Sequence, residues 1–229
     1  MTGIINITSD EGLKSFMSKN SKQYKDKTYR IIKINDNVYS GKDREKKRTP
    51  GYIFNGFPHG YLKDKSILDL GCASGAILFE AMKYEIAEGF GVEIDPVKLN
   101  IGKEICKIEK MNKLSLFNCD ILNYLEKCGR QFNCIFILNI LHHLPFPFLV
   151  LDYIMDLSTD YICIETPMKA AYMPYPRDKK MEKQFNKPLS IEALSDYLLC
   201  SNWKLAYKNE SENQSSFKGG DRCVILFKK

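Results

Sequence analysis

A strand that becomes a helix across a pair of glycines constrains this chain more than any other feature in it. Ser66-Ile-Leu-Asp-Leu-Gly-Cys-Ala-Ser-Gly75 begins with the apolar Ile67, Leu68 and Leu70, approached by Lys63, Asp64 and Lys65, which suits a short buried strand. Ile77, Leu78, Ala81 and Met82 then fall at helical spacing. Gly71 and Gly75 let the backbone turn tightly and come close to a ligand, and the helix that follows presents unpaired N–H groups at its start. Such a junction can hold the polar end of a cofactor.

Gly89-Phe-Gly-Val-Glu-Ile94 reads as a second strand ending in an acid, and Glu93 lies 22 residues after Gly71. A carboxylate at that place suits accepting hydrogen bonds from ribose hydroxyls. The turn lacks the middle glycine of G-x-G-x-x-G, and Ala76 stands where the third would be. A nicotinamide-binding oxidoreductase therefore stays open as an alternative with a poor match.

These residues resemble the class I (Rossmann-like) S-adenosylmethionine-dependent methyltransferases. Asp69-Leu-Gly-Cys-Ala-Ser-Gly75 looks like their first motif, with Ala73 at a place where glycine is commonest. Glu93 looks like the ribose-binding acid. Asn118-Cys-Asp-Ile121 looks like the segment where an acid meets the adenine amino group, and Phe132 to Leu144, ending Leu-His-His-Leu, looks like the fourth motif. The resemblance covers about residues 63 to 165, and more loosely the rest of the chain. It implies S-adenosyl-L-methionine as cofactor, with Asp69, Gly71, Cys72, Ala73, Gly75, Glu93, Ile94, Asp120, Ile121 and Asn139 as its binding residues.

Each acid also has a plainer reading. Asp69 either lies near the cofactor's amino or sulfonium end or forms a turn. Asp120 either meets adenine or caps the helix that starts at Ile121. His142 and His143 follow the fourth strand, and either can act as a general base, since imidazole titrates near neutrality. The alternative is a role in shaping the turn or the substrate wall, because transfer from a sulfonium needs mainly in-line placement of the nucleophile. Adjacent histidines diverge in direction and no third ligand has suitable spacing, so no metal site is expected.

The rest of the chain alternates. Asp95 and Pro96 signal a helix start, and Val97, Ile101, Ile105, Ile108 and Met111 make an apolar stripe. Strands are expected over 114–119, 132–138, 160–165, 203–208 and 223–227, and helices over 121–127, 147–157 and 190–199. This is a doubly wound α/β fold: a mostly parallel seven-stranded sheet with an antiparallel C-terminal strand, joined by the loop 209–221 that holds Gly219-Gly220. An N-terminal extension, 1–62, precedes the cofactor-binding domain, 63–229.

Residues 1–62 carry 12 Lys and Arg against 6 Asp and Glu, while 63–229 carry 22 of each, so the net charge of +6 belongs to the extension. Its densest run, Gly41 to Arg48 with Lys42, Arg44, Lys46, Lys47 and Arg48, is either a solvated loop or a guide for an anionic substrate. No apolar run is long enough to span a membrane, and the N-terminus has no signal-peptide pattern. The eight cysteines contain no C-x-x-C pair, which favours reduced thiols and a cytoplasmic protein.

The fourth strand carries neither an Asp/Asn-Pro-Pro-aromatic segment, with which family members methylate base amines, nor a Pro-Cys nucleophile. Tyr172, Tyr175 and Arg177, in a proline-stiffened loop after the fifth strand, are the candidate substrate contacts. The expected reaction is methyl transfer to an oxygen or nitrogen of a small, anionic molecule. The Leu-His-His-Leu turn and Glu165-Thr-Pro also resemble bacterial enzymes that alkylate the wobble uridine of tRNA, which makes tRNA the alternative partner. A non-catalytic cofactor-binding protein is a third reading.

Overall fold

The structure, a computed structural model, describes residues 32–34, 37–38, 50–167, 190–211 and 222–229. The basic run 41–48, the loop bearing Tyr172, Tyr175 and Arg177, and Gly219-Gly220 lie outside the described residues.

The described elements begin with a two-stranded antiparallel pair, β1 (Lys33–Ile34) and β2 (Asn37–Val38), and a 3-10 turn, Pro50–Phe54. The main sheet and its helices follow in the order β3 (Ser66–Leu70), α1 (Ala76–Ala81), β4 (Glu88–Glu93), α2 (Pro96–Ile108), β5 (Leu114–Asn118), α3 (Ile121–Lys127), β6 (Phe132–Leu138), α4 (Pro147–Leu157), β7 (Ser158–Pro167), α5 (Ile191–Cys200), β8 (Lys204–Ser211) and β9 (Arg222–Lys228). The sheet order is β5-β4-β3-β6-β7-β9-β8. β3 pairs in parallel with both β4 and β6, β5 and β7 extend the parallel part, and β9 runs antiparallel to its neighbours β7 and β8. The fold expected from the alternation is the one observed.

The central strands are apolar on both faces because helices cover both. In β6, Ile135 and Ile137 face one core with Ile121 and Leu125 of α3, Val150, Leu151 and Ile154 of α4, and Leu194 and Leu198 of α5. Cys134, Phe136 and Leu138 face the other, with Ile77, Leu78 and Ala81 of α1, Leu99 of α2, and Ile53 and Phe54 of the 3-10 turn. The segment before the sheet thus contributes to the core.

Helix starts follow their caps. Asp95 accepts from Val97 N at 2.9 Å and Lys98 N at 3.3 Å, with Pro96 in the first turn of α2, as the sequence signalled. The apolar stripe continues past the helix: α2 ends at Ile108, Lys110 turns left-handed at φ 53°, and Met111 lies beyond the helix, packed against Ile101 and Ile105. None of the eight cysteines forms a disulfide. Among the described residues no helix is long and apolar enough to cross a membrane, and no cluster of potential ligands that could hold a metal occurs.

Candidate active site

The strand β3 delivers Asp69, 2% exposed, to its carboxyl end, and the chain then folds over in the turn 71–75. Gly71 and Gly75 have φ of 76° and 83°, a left-handed backbone that glycine adopts without cost. Ala73 between them is also left-handed, at φ 50°, where a side chain is disfavoured. Gly71 N and Cys72 N donate to Val92 O at 2.8 and 3.0 Å, so the turn is fastened to the end of β4. These two amides are engaged within the protein.

Glu93, 6% exposed, completes the fastening: its Oε2 accepts from Ala73 N at 2.9 Å and its Oε1 from Asp95 N at 2.8 Å. One carboxylate therefore joins the turn, the end of β4 and the start of α2. Ile94, the next residue, is 57% exposed at the same edge. At the end of β5, Asp120 Oδ1 caps α3 through Leu122 N at 2.9 Å and Asn123 N at 3.2 Å, which is its plainer reading. Ile121, 7% exposed, starts that helix.

Asp69, Gly71, Cys72, Ala73, Ser74, Ala76, Ile77, Leu138 and Ile32 line a small, partly enclosed recess. Five of these, Ser74, Ala76, Ile77, Leu138 and Ile32, were not among the site residues expected from the sequence. Ser74 Oγ is buried without a hydrogen-bond partner among the described residues, and a serine inside a glycine turn gives no signal of that kind. Ile32, 1% exposed, reaches in from the N-terminal segment and packs on Ala76, Phe79, Ile101 and Ile105. The Cys72 thiol is pushed well up by burial and then by the Asp69 and Glu93 carboxylates, so it stays protonated as a packing group and not a nucleophile.

On the other side of β3, β6 ends at Leu138 and is followed by Asn139, which is left-handed at φ 57° and donates its backbone N–H to Glu165 O at 2.7 Å. Its Nδ2 donates to Glu165 Oε2, and the Tyr52 hydroxyl donates to Glu165 Oε1. Glu165 is 1% exposed at the carboxyl end of β7. The pairing of Tyr52 with Glu165 was not foreseen, because the two lie 113 residues apart in sequence. His142 and His143 form the 3-10 turn Leu141–His143, their ring centroids 4.0 Å apart. His142 is buried, 4% exposed, and His143 is half-buried. Phe146, 60% exposed, follows at the start of α4.

An open parallel sheet reverses its strand order at β3 and β6, and ligands of such sheets sit in the crevice outside that point. The recess, Glu93 and Asn139 all border it. This is the class I methyltransferase architecture, built around a nucleotide-type cofactor site. The methyltransferase-domain family matches residues 62–214, and the chain belongs to that family of transferases, whose class I fold uses S-adenosylmethionine. Among curated proteins no sequence matches it. Solved structures with the same fold include magnesium protoporphyrin IX methyltransferase from Synechocystis PCC 6803 with bound S-adenosylmethionine, at 12% identity, TM-score 0.58, covering 79% of this chain and 76% of that one. The N-methyltransferase NodS from Bradyrhizobium japonicum WM9 has 12% identity and TM-score 0.58, covering 81% and 95%. The [4+2]-cyclase SpnF has 10% identity and TM-score 0.59, covering 79% and 80%.

Proposed function

We propose that this enzyme transfers a methyl group from S-adenosylmethionine to an oxygen or nitrogen of a small, anionic molecule. The observation that carries the reading is the recess behind the turn 71–75, with a buried unpartnered Ser74 hydroxyl in its wall and the Asp69 carboxylate beside it. Those groups fit a ligand end that both donates and accepts hydrogen bonds, as an amino-acid moiety does. Asp69, Gly71, Cys72, Ala73 and Gly75 hold that end, Glu93 takes the ribose, Ile94, Asp120 and Ile121 border the adenine, and Asn139 stands beside the reacting end. The bound cofactor supplies an electrophilic methyl on a sulfonium. The protein's part is placement and exclusion of water.

Residues 1–62 serve as a cap over this domain, 63–229. Ile32 in the recess wall and Tyr52 against Glu165 support that assignment. His142, being buried, is better suited to shaping the turn, which leaves the half-buried His143 as the candidate base. Tyr172, Tyr175 and Arg177 remain the candidate contacts for the anionic part of the acceptor. Fold alone does not fix the reaction, since a cyclase shares it; membership of the methyltransferase family favours methyl transfer.

Calorimetric titration with S-adenosylhomocysteine tests the assignment. The wild type binds it in preference to NAD, and Glu93→Ala weakens binding roughly 10- to 100-fold if a charge-assisted hydrogen bond to the ribose is lost. Unchanged affinity in the variant, or tighter binding of NAD, removes the basis for the reading. Retention of bulk tRNA on filters at physiological salt would favour an RNA acceptor instead.

A further inference from the structure

The polar groups at the ends of β6 and β7 form a small mechanism of their own. Glu165 is almost fully buried, yet both its carboxylate oxygens are taken by donors from distant parts of the chain, Tyr52 and Asn139. A carboxylate only accepts, so it forces the Asn139 amide to present its NH₂ to Glu165 and its oxygen to the opposite side. The backbone hydrogen bond from Asn139 N to Glu165 O at 2.7 Å fixes the same residue a second time. Asn139 Oδ1 is left buried with no hydrogen-bond partner among the described residues. An amide oxygen oriented this firmly and left unsatisfied is costly unless a ligand donates to it.

We propose that Asn139 Oδ1, oriented by Glu165 and Tyr52, grips the methyl acceptor through a hydrogen bond from the acceptor's own N–H or O–H. The substrate class is thereby narrowed to amines, amides and hydroxyl compounds that carry that hydrogen at or next to the methylated atom. The inference rests on the methyltransferase reading above. The cofactor's ammonium is the other donor available. Leu138, next to Asn139, lines the same recess as Asp69, so the second arm of the test below separates the two donors. Tyr52 and Glu165 are positioning residues, and Tyr52 makes the segment ahead of the sheet part of the acceptor site.

The test uses matched neutral probes in which methyl replaces the donor hydrogen: aniline against N,N-dimethylaniline, and phenol against anisole, at about 10 mM on protein saturated with S-adenosylhomocysteine, read by ligand-observed NMR. Asn139→Gly removes the amide and suits the φ of 57°, so the variant keeps its backbone. The wild type should bind aniline and phenol roughly 5- to 10-fold better than their methylated partners, the worth of one hydrogen bond, and Asn139→Gly should erase that preference. Tyr52→Phe should reduce it, with S-adenosylhomocysteine affinity unchanged. Equal binding within each pair, binding of none of the four, or a preference that survives in Asn139→Gly overturns the proposal. A second arm compares S-adenosylhomocysteine with 5′-methylthioadenosine, which lacks the amino-acid portion. If Asn139→Gly weakens only the former, the donor is the cofactor's ammonium and the acceptor assignment is wrong. Failure of the wild type to bind S-adenosylhomocysteine at all is instead failure of the methyltransferase reading.

Discussion

Replacing Ala73 with glycine should make this enzyme more stable, and the size of the effect follows from one backbone angle. Ala73 has φ 50°, and an L-residue in that region carries a penalty of about 1 to 2 kcal/mol relative to the right-handed one. Glycine escapes the penalty but adds freedom to the unfolded chain, which costs about 0.4 to 1 kcal/mol. The difference leaves a net gain of about 0.7 kcal/mol, or close to 2 °C in Tm for a chain of this length. The angle is imposed from outside the residue: Ala73 N donates to Glu93 Oε2 at 2.9 Å, and the flanking amides of Gly71 and Cys72 are held by Val92 O. Relaxation to a right-handed turn would break those bonds. Urea denaturation of the wild type and Ala73→Gly measures the difference, with Ala81→Gly inside α1 as a control expected to lose stability. A loss of stability in Ala73→Gly would mean that the turn is not held left-handed, and the account of Glu93 as its fastener would fall with it.

Three other outcomes follow from the geometry. Gly102→Ala should weaken S-adenosylhomocysteine binding and destabilise by roughly 1 to 2 kcal/mol although alanine is the better helix former, because a Cβ there would stand 2.9 Å from Ser74 O in the cofactor turn; unchanged calorimetric affinity would show that the turn yields. Burial pushes the Asp160 carboxyl up, but hydrogen bonds from Tyr61, Thr159 and Asn133 and the Lys65 charge outweigh it and leave it below the ordinary carboxylate value. Its folded pKa is therefore below the unfolded one of about 3.9, so its contribution is present above that pH and is lost as pH falls further; wild-type Tm should drop more steeply below pH 4 than that of Asp160→Asn, and parallel profiles would refute the coupling. Once an acceptor is known, His143→Asn should lower turnover about 10²- to 10⁴-fold with cofactor affinity intact if it is the base, and smaller losses in kcat return it to the turn.

The parts of the structure that were legible in the sequence are those whose cause is local. A strand that must be buried on both faces reads as a nearly continuous apolar run, and Phe132–Leu138, broken only by Asn133, is that run. The start of α2 is written in Asp95-Pro96 because cap and first turn are neighbours in the chain. Asp69, Gly71, Gly75 and Glu93 could be placed together because the crossover that joins their strands is short and its hand is fixed. What Glu93 holds was not legible. Its two backbone partners depend on how Ala73 and Asp95 fold back to it, and no spacing rule carries that.

The acceptor side fails to show in the sequence for a related reason, and the reason bears on how its specificity is set. Tyr52, Asn139 and Glu165 come from a 3-10 turn ahead of the sheet, the end of β6 and the end of β7, and no two of them fall within one motif. Their meeting requires Ile53 and Phe54 to be seated against the core that also holds Phe136, which sets the 3-10 turn beside β6 and β7. The turn's apolar residues thus place the hydroxyl that orients the amide. An exchange at Ile53 or Phe54, far from any reacting atom, should therefore shift the donor preference of Asn139 as well as stability. The turn of the cofactor half, fastened by Glu93 within a single strand-turn-strand unit, does not rest on the 3-10 turn, although Ile32 from ahead of the sheet lines its recess. Changes confined to the 3-10 turn Pro50–Phe54 can thus retune the acceptor side while leaving the Glu93-fastened turn in place.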